Sequence, residues 1–162
     1  MWRKLTILSG GQTGVDRAAL DAAIAAGISY GGWCPQGGWA EDLPRPPGLL
    51  AAYPHLQETP LADPARRTEW NVRDAARLML LVDSAGLQVS QGSEAARDFA
   101  ATMGTPHVVL DLDAPEALPQ ALAFLGGAQK ATTLCIAGPR ESEAPGIYAK
   151  ARSFLGRLFD RC

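Results

Sequence analysis

Residues 5–26 read LTILSGGQTGVDRAALDAAIAA. A short apolar run, Leu5–Leu8, predicts a strand, and the glycine-rich turn after it leads into a helical pattern near Gly14. The alanines of that pattern recur at three- and four-residue steps up to Ala26, and Gly27 suits the residue that ends a helix. A strand that turns directly into a helix is the repeating unit of an α/β fold.

The same alternation of apolar runs and helical patterns continues beyond residue 63. Further strands are predicted at residues 78–82, 107–110 and 132–137, and helices are predicted to begin at Pro64, after Ser93, at Pro115 and at Pro145. Strands separated by helices predict a mostly parallel, open sheet of about five or six strands with helices on both faces. The sequence therefore indicates a single three-layer α/β domain over residues 1–162.

Residues 27–63 form a long, irregular insertion that is rich in glycine, proline and tryptophan. A short strand near residues 28–33 is the one regular element that its pattern indicates. Loops of this length inside a small domain are uncommon, and they are usually functional or flexible. Two tryptophans in the insertion indicate that part of it packs against the domain.

The composition is that of a globular domain, with 47% hydrophobic and 20% charged residues. A formal net charge of −2 argues against nucleic acid as a partner, because proteins that bind phosphate backbones normally carry positive charge. No apolar run approaches the roughly 20 residues of a membrane span, and the first one is too short for a signal peptide. Cys34, Cys135 and Cys162 are far apart, which predicts a reducing, cytoplasmic location without a disulfide framework.

Three segments are predicted at the edge of the sheet where ligands bind in parallel α/β folds. The first is the glycine-rich turn, where backbone N–H groups and a helix N-terminus favour an anion. It is neither a Walker A loop nor a complete GxGxxG fingerprint, and a tight turn that binds nothing is the alternative. In the second, residues 90–93, hydroxyl and glycine residues can cap a helix or bind a phosphate.

The third segment, residues 137–142, lies at the end of the last predicted strand. Its Arg140 can bind a phosphate or carboxylate through two parallel hydrogen bonds, and an ion pair with Glu141 or Glu143 is the alternative. For Cys34, a packed and unreactive side chain is favoured over a reactive thiol or a metal ligand, because no second Cys or His lies at ligand spacing. No directly bound metal is predicted.

Five stretches of the chain together resemble the putative molybdenum carrier family. They are SGGQTGVDRAALD at residues 9–21, GGWCP at 31–35, AED at 40–42, RTEWNVRD at 67–74 and AGPRES at 137–142. The similarity covers nearly the whole chain, although family members often carry basic residues where this chain has Gln36, Gly38 and Trp39. The family is similar to Rossmann-like proteins that include cytokinin-activating phosphoribohydrolases and DprA-type proteins. The resemblance implies a Rossmann-like fold, a nucleotide-like or pterin-phosphate ligand and an oligomeric protein.

The leading hypothesis is a cytoplasmic carrier or sensor of a small phosphorylated ligand, either a nucleotide or molybdenum cofactor. The residues predicted to bind it are Gly10, Gly11, Gln12, Thr13, Gly14, Asp16, Arg17, Ser90, Gly92, Ser93, Gly138 and Arg140, with Trp33, Glu69, Trp70 and Asn71 as further contacts. A homodimer or homotetramer is expected, because alanine-rich helix surfaces and a tryptophan-containing loop leave apolar area to cover.

The alternative hypothesis is a nucleotide hydrolase of the phosphoribohydrolase type, which cleaves an N-glycosidic bond. The PGGxGTxxE motif of those enzymes is not met here, because its Pro-Gly-Gly start is absent and Glu94 directly follows Ser93 instead of lying three residues after it. A general acid or base could come from Asp16, Glu41 or Glu69, and no catalytic residue is assigned. An interaction domain whose glycine loops are only turns is a third interpretation.

Overall fold

The computed structural model describes residues 4–126 and 132–161, and its main sheet is entirely parallel. The strands are β1 (Leu5–Leu8), β2 (Ser29–Gly31), β3 (Trp33–Cys34), β4 (Gln57–Glu58), β5 (Arg77–Val82), β6 (His107–Asp111) and β7 (Thr132–Ala137). Five of them form the main sheet in the order β2-β1-β7-β5-β6, and β3 pairs with β4 in a separate two-stranded sheet. The predicted mostly parallel α/β fold is confirmed.

Helices cover both faces of the main sheet. They are α1 (Val15–Ala25), α2 (Leu49–Ala52), α3 (Pro64–Asp74), α4 (Gln91–Met103), α5 (Ala117–Leu125) and α6 (Ile147–Phe159). Helices α1, α5 and α6 pack on one face, and α3 and α4 pack on the other. Within the described ranges, no helix is long and apolar enough to cross a membrane.

Residues 78–82 of β5 are continuously apolar because this strand lies inside the sheet, between β7 and β6, and is covered on both faces. Met79 and Leu81 point into the layer of α1, α5 and α6, whereas Leu78 and Leu80 point into the layer of α3 and α4. All four side chains are fully buried, as expected for a strand that is covered on both faces. The three-layer arrangement follows from this alternation.

The last strand of the chain, β7, lies between β1 and β5. Its register pairs Cys135 with Leu8 of β1 and Ala137 with Leu80 of β5. Because all three strands are parallel, the loops after β1, β7 and β5 leave the sheet at the same edge. The strand order therefore brings together segments from the beginning, the middle and the end of the chain.

The insertion at residues 27–63 contains β2, β3, β4 and α2, and it packs against α1 through a small core of its own. Cys34 and Leu49 are fully buried in that core beside Leu20 of α1. Burial raises the pKa of the Cys34 thiol to about 11, which is the behaviour of a packed and unreactive cysteine. Cys135 is also buried and free, and Cys162 lies outside the described residues.

Candidate functional site

A cavity of about 620 Å³ lies beyond the carboxyl ends of β1, β7 and β5, and we refer to it as the central cavity. All three polar segments singled out in the sequence contribute to its lining. They supply Gly10, Gln12 and Asp16 after β1, Ser90, Gly92 and Ser93 at the start of α4, and Gly138 and Arg140 after β7. Helix α3 forms a further wall.

Two glycines in these loops allow the close backbone packing that shapes the cavity. A Cβ atom at Gly138 would lie 2.3 Å from the carbonyl oxygen of Leu81 and 2.6 Å from Cγ2 of Val15, so the loop after β7 passes tightly between β5 and α1. A Cβ atom at Gly10 would lie 2.2 Å from Nη1 of Arg67. The turn after β1 therefore packs directly on a guanidinium group of α3.

Helix α3 begins where the sequence predicts it, with Asp63 accepting a hydrogen bond from the Ala65 N–H at 3.0 Å. Arg67 and Asn71 are four residues apart and lie on the same buried face of the helix. The Asn71 side chain accepts a hydrogen bond from the Trp33 N–H at 2.8 Å and donates one to the Trp33 carbonyl at 2.9 Å. Asn71 thus links α3 to β3 through two hydrogen bonds, and it also lines the central cavity.

A buried ion pair joins Arg67 to Asp16, with Nη1 and Oδ2 separated by 3.4 Å. Asp16 Oδ1 and Arg67 Nε are buried, and within residues 4–126 and 132–161 neither atom has a hydrogen-bond partner. Burial raises the pKa of Asp16 to about 6, and this effect outweighs the opposing ones of Arg67, the Gly138 amide and Arg17. The central cavity therefore contains a carboxyl group that titrates close to neutral pH.

The raised pKa of Asp16 makes the stability of the fold depend on pH. The folded protein holds the Asp16 proton up to about pH 6, whereas the unfolded chain releases it near 3.8, so the stabilisation is complete below 3.8 and disappears as the pH rises through 6. We expect the free energy of unfolding to fall by about 2 kcal/mol from about pH 4 to about pH 7, relative to Asp16→Asn. Urea denaturation of both proteins measures this difference, and parallel pH profiles would contradict it.

The guanidinium of Arg140 forms ion pairs with two carboxylates. Its Nη1 lies 3.3 Å from Oε2 of Glu41, and its Nε lies 3.4 Å from Oε1 of Glu143. Glu41 also accepts hydrogen bonds from the hydroxyls of Thr13 and Ser142. These bonds and Arg140 outweigh desolvation, which by itself raises the pKa of Glu41, and the net effect is a lowered pKa. The ion pair with Glu143 that the sequence left as an alternative is present.

The start of α4 presents polar groups to the cavity. The Ser90 Oγ accepts a hydrogen bond from the Ser93 N–H at 3.2 Å and another from the Ser93 hydroxyl at 2.9 Å. Ser90 is therefore the N-cap of α4. Gln91 and Gly92 also line the cavity, and the first N–H groups of a helix have no acceptor within the helix.

The structure places part of the predicted site elsewhere. Thr13, Gly14 and Arg17 line a second, wider cavity of about 850 Å³, on the other side of the glycine-rich turn. Arg17 pairs there with Asp42 through two hydrogen bonds of 2.8 and 2.9 Å. Gly11 lies against Leu49 in the core of the insertion.

Two of the tryptophans named in the sequence also lie away from the central cavity. Trp33 and Trp70 pack edge to face, with their ring centroids 4.8 Å apart, and the Trp33 indole N–H donates to Asp74 Oδ2 at 2.7 Å. Neither tryptophan lines the central cavity, and neither does Glu69. The tryptophan that does line it is Trp39, with 37% of its surface exposed.

Arg67 and Trp39 are two residues of the cavity that the sequence interpretation did not assign to the site. Arg67 precedes Asn71 by one helical turn, and this spacing is the signal that could have placed it on the same face of α3. Trp39 lies in an irregular loop, where no periodicity indicates the direction of a side chain.

Within residues 4–126 and 132–161, no group of three His, Cys, Asp or Glu side chains could hold a metal ion.

Comparisons with known proteins agree with this architecture. The family model described as "Circularly permutated YpsA SLOG family" matches residues 7–159. A 1.45 Å crystal structure of "Putative molybdenum carrier protein" from Syntrophus aciditrophicus SB shares 37% sequence identity, covers 95% of this chain and 93% of its own, and has a TM-score of 0.83. No curated protein matches the chain. The similarity to molybdenum carriers predicted from the sequence is confirmed, and the chain belongs to the circularly permutated YpsA SLOG family.

Proposed function

We propose that this protein is a carrier or sensor that binds a phosphorylated ligand with a planar ring, of the nucleotide or pterin type. The central cavity supports this function because it combines a helix N-terminus with the buried guanidinium of Arg67, and because Gly10 and Gly138 line it without side chains. Helix N-termini and guanidinium groups are the usual protein partners of phosphate. A volume of about 620 Å³ is within the range of cavities that hold small molecules.

The similar protein from Syntrophus aciditrophicus is described as a putative molybdenum carrier, and this description supports a carrier role. We propose molybdenum cofactor as one member of the ligand class, bound as cargo. In this proposal the phosphate is held at α4 and by Arg67, and the ring lies beside Trp39 at the wall of the cavity. The protein need not supply a ligand to the metal itself.

Trp39 is expected to stack on the ring of the ligand. We predict that Trp39→Ala weakens the binding of adenosine 5′-monophosphate (AMP) roughly tenfold, because stacking of one base on an aromatic side chain contributes about 1–3 kcal/mol. Trp39→Phe retains an aromatic ring and should lose less affinity. Titration calorimetry measures both variants, with Met103→Ala as the control, since Met103 is an exposed apolar residue at the opposite end of α4. Equal affinities of Trp39→Ala and Met103→Ala would remove Trp39 from the site.

Native mass spectrometry of the protein purified from its own host tests the proposed function directly, because a retained ligand reports its own mass. A bound mass that fits a phosphorylated nucleotide or pterin supports a carrier or sensor. If the mass is that of the protein alone, and neither AMP nor a pterin phosphate binds the purified protein in calorimetry, the proposed function is wrong.

Asp16 favours a second candidate function, that of a nucleotide hydrolase. It is a buried carboxyl group of the central cavity, and burial raises its pKa to about 6, where a carboxyl can act as a general acid or base. Incubation with AMP separates the two functions, since release of free adenine indicates a hydrolase and intact AMP indicates a binding protein. In the first case Asp16→Asn should abolish the release.

A further inference from the structure

The ion pair between Asp16 and Arg67 lines the central cavity, and its hydrogen bonding is incomplete. Asp16 and Arg67 are each about nine-tenths buried, and a single contact of 3.4 Å joins them. No described residue supplies a hydrogen-bond partner to Asp16 Oδ1 or to Arg67 Nε. Buried polar groups in proteins are nearly always hydrogen-bonded, and an unpaired donor beside an unpaired acceptor is costly. Two such atoms on one pair of side chains that line a cavity point to a missing ligand group.

We propose that Arg67 holds a tetrahedral oxyanion of the ligand and that Asp16 takes up a proton from solvent when this anion binds. This inference rests on the proposed function and names the group that the site recognises. The Nε–H of Arg67 donates to one oxygen of the anion. The proton on Asp16 Oδ1 turns that atom from an acceptor into a donor for a second oxygen, while Oδ2 keeps its contact with Arg67 Nη1. Both unpaired atoms are then satisfied by a single group.

Arg67 is better suited to hold the anion than Arg140. The Arg140 side chain is 42% exposed and already lies within 3.4 Å of two carboxylates, those of Glu41 and Glu143. The Arg67 side chain is 11% exposed, and among the described residues it pairs with one carboxylate, that of Asp16. Charged hydrogen bonds are stronger where water is excluded, so an anion gains more from Arg67. Because Gly10 packs directly on the guanidinium, the loop also restricts its orientation before the ligand arrives.

The surroundings of Asp16 explain why a proton accompanies the anion. The groups that act on its carboxyl are Arg67 of α3, Arg17 of α1, Glu143 and the Gly138 amide after β7, and the buried Cys135 thiol of β7. Burial already brings the pKa of Asp16 to about 6, and a second negative charge nearby raises it further. An ionised Asp16 would repel the anion, whereas a neutral one donates to it. Uptake of one proton therefore removes the repulsion.

Sulfate is the probe that tests the inference, since it is a tetrahedral oxyanion without a titratable proton near neutral pH. Calorimetry of the wild-type protein at about pH 7, in two buffers of different ionisation enthalpy, should report uptake of close to one proton per sulfate bound. The affinity for sulfate should rise roughly five- to tenfold when the pH is lowered from about 7.5 to about 6.5. Any proton taken up with sulfate belongs to the protein.

Two substitutions test the roles of the two side chains. Asp16→Asn should bind sulfate with an affinity that does not change with pH, because the asparagine amide donates a hydrogen bond where the protonated carboxyl would. Arg67→Gln should lose at least tenfold in affinity. Arg66→Gln is the matched control on the same helix, since Arg66 is exposed and should keep the wild-type affinity. If Arg67→Gln does not fold, the proton count and the Asp16→Asn profile still decide the question.

The outcomes separate this inference from the proposed function. If AMP and sulfate bind without proton uptake, or bind Arg67→Gln as tightly as wild type, the inference is overturned while a phosphate-binding protein remains. If neither AMP nor sulfate binds at any pH but adenosine does, both are overturned. A loss of affinity in Arg67→Gln together with proton uptake supports the inference. The affinities for AMP and sulfate then indicate which kind of molecule carries the oxyanion. Much tighter binding of AMP indicates a phosphate ester, and equal binding of sulfate indicates a free oxyanion.

Discussion

Replacing Gly14 with alanine is expected to lower the free energy of unfolding by roughly 3–5 kcal/mol. Gly14 has a φ of +79°, and a Cβ atom there would lie 2.3 Å from the Pro139 carbonyl oxygen and 2.8 Å from the Glu141 nitrogen. These neighbours are backbone atoms, so no side-chain rotation relieves the clash. The Pro139 oxygen also accepts a hydrogen bond from the Val15 N–H at 3.2 Å. The substitution therefore disrupts the contact that holds the loop after β7 on the start of α1.

Gly27→Ala is the control for Gly14→Ala. Comparing the two variants in urea denaturation separates the cost of the steric clash with Pro139 from the cost of a positive φ. Gly27 has a φ of +68°, but a Cβ atom there would have no neighbour within 4 Å among the residues that the structure describes. Its substitution should cost about 1–2 kcal/mol, the strain of a left-handed residue alone. Similar losses in the two variants would show that the approach to Pro139 does not require glycine at position 14.

Phe154→Ala is the second substitution with a large expected effect, about 3–5 kcal/mol lost from the free energy of unfolding. Phe154 is 1% exposed in α6, where it belongs to the core that joins α1, α5 and α6 to the sheet. Truncation removes buried apolar contacts and leaves a cavity that the surrounding strands cannot fill. The loss should appear in urea or thermal denaturation as a single cooperative transition at a lower midpoint.

Ile24→Ala is the control for the core substitution, because Ile24 is 51% exposed on α1 and should change the stability by no more than about 0.5 kcal/mol. Phe154 lies in the layer of the sheet opposite to α3 and α4. A folded Phe154→Ala protein should therefore retain the ligand affinity of the wild type. A stability loss as small as that of Ile24→Ala would show that the α6 layer contributes little to the core.

Much of the candidate site was predictable because the ends of parallel strands meet at one edge of a sheet. Gly10, Ser90, Gly138 and Arg140 were assigned from turn chemistry next to apolar runs, and the structure brings them around one cavity. The residues of the glycine-rich turn do not all line the same cavity. Its successive residues point to different sides of the loop, so Thr13 lies on the second cavity. A contiguous motif in the sequence does not predict a common direction of side chains in an irregular turn.

The cytoplasmic location and the homodimer or homotetramer stay predictions from the sequence, as does the bias against nucleic acid. They rest on cysteine spacing, alanine-rich helix surfaces and a net charge of −2. Net charge says little about the local field in the cavity, where two arginines lie close to carboxylates.

Local patterns in the sequence determined the strands, the helices and the turns that join them, because periodicity, caps and glycine positions act over a few residues. The order of the strands depended on tertiary structure, since β7, the last strand along the chain, lies between β1 and β5. The same holds for the pair of Asp16 and Arg67, which are 51 residues apart, and for Trp39, which lines the cavity in place of Trp33. No local signal encodes such contacts, because they arise from the packing of distant segments around a common core.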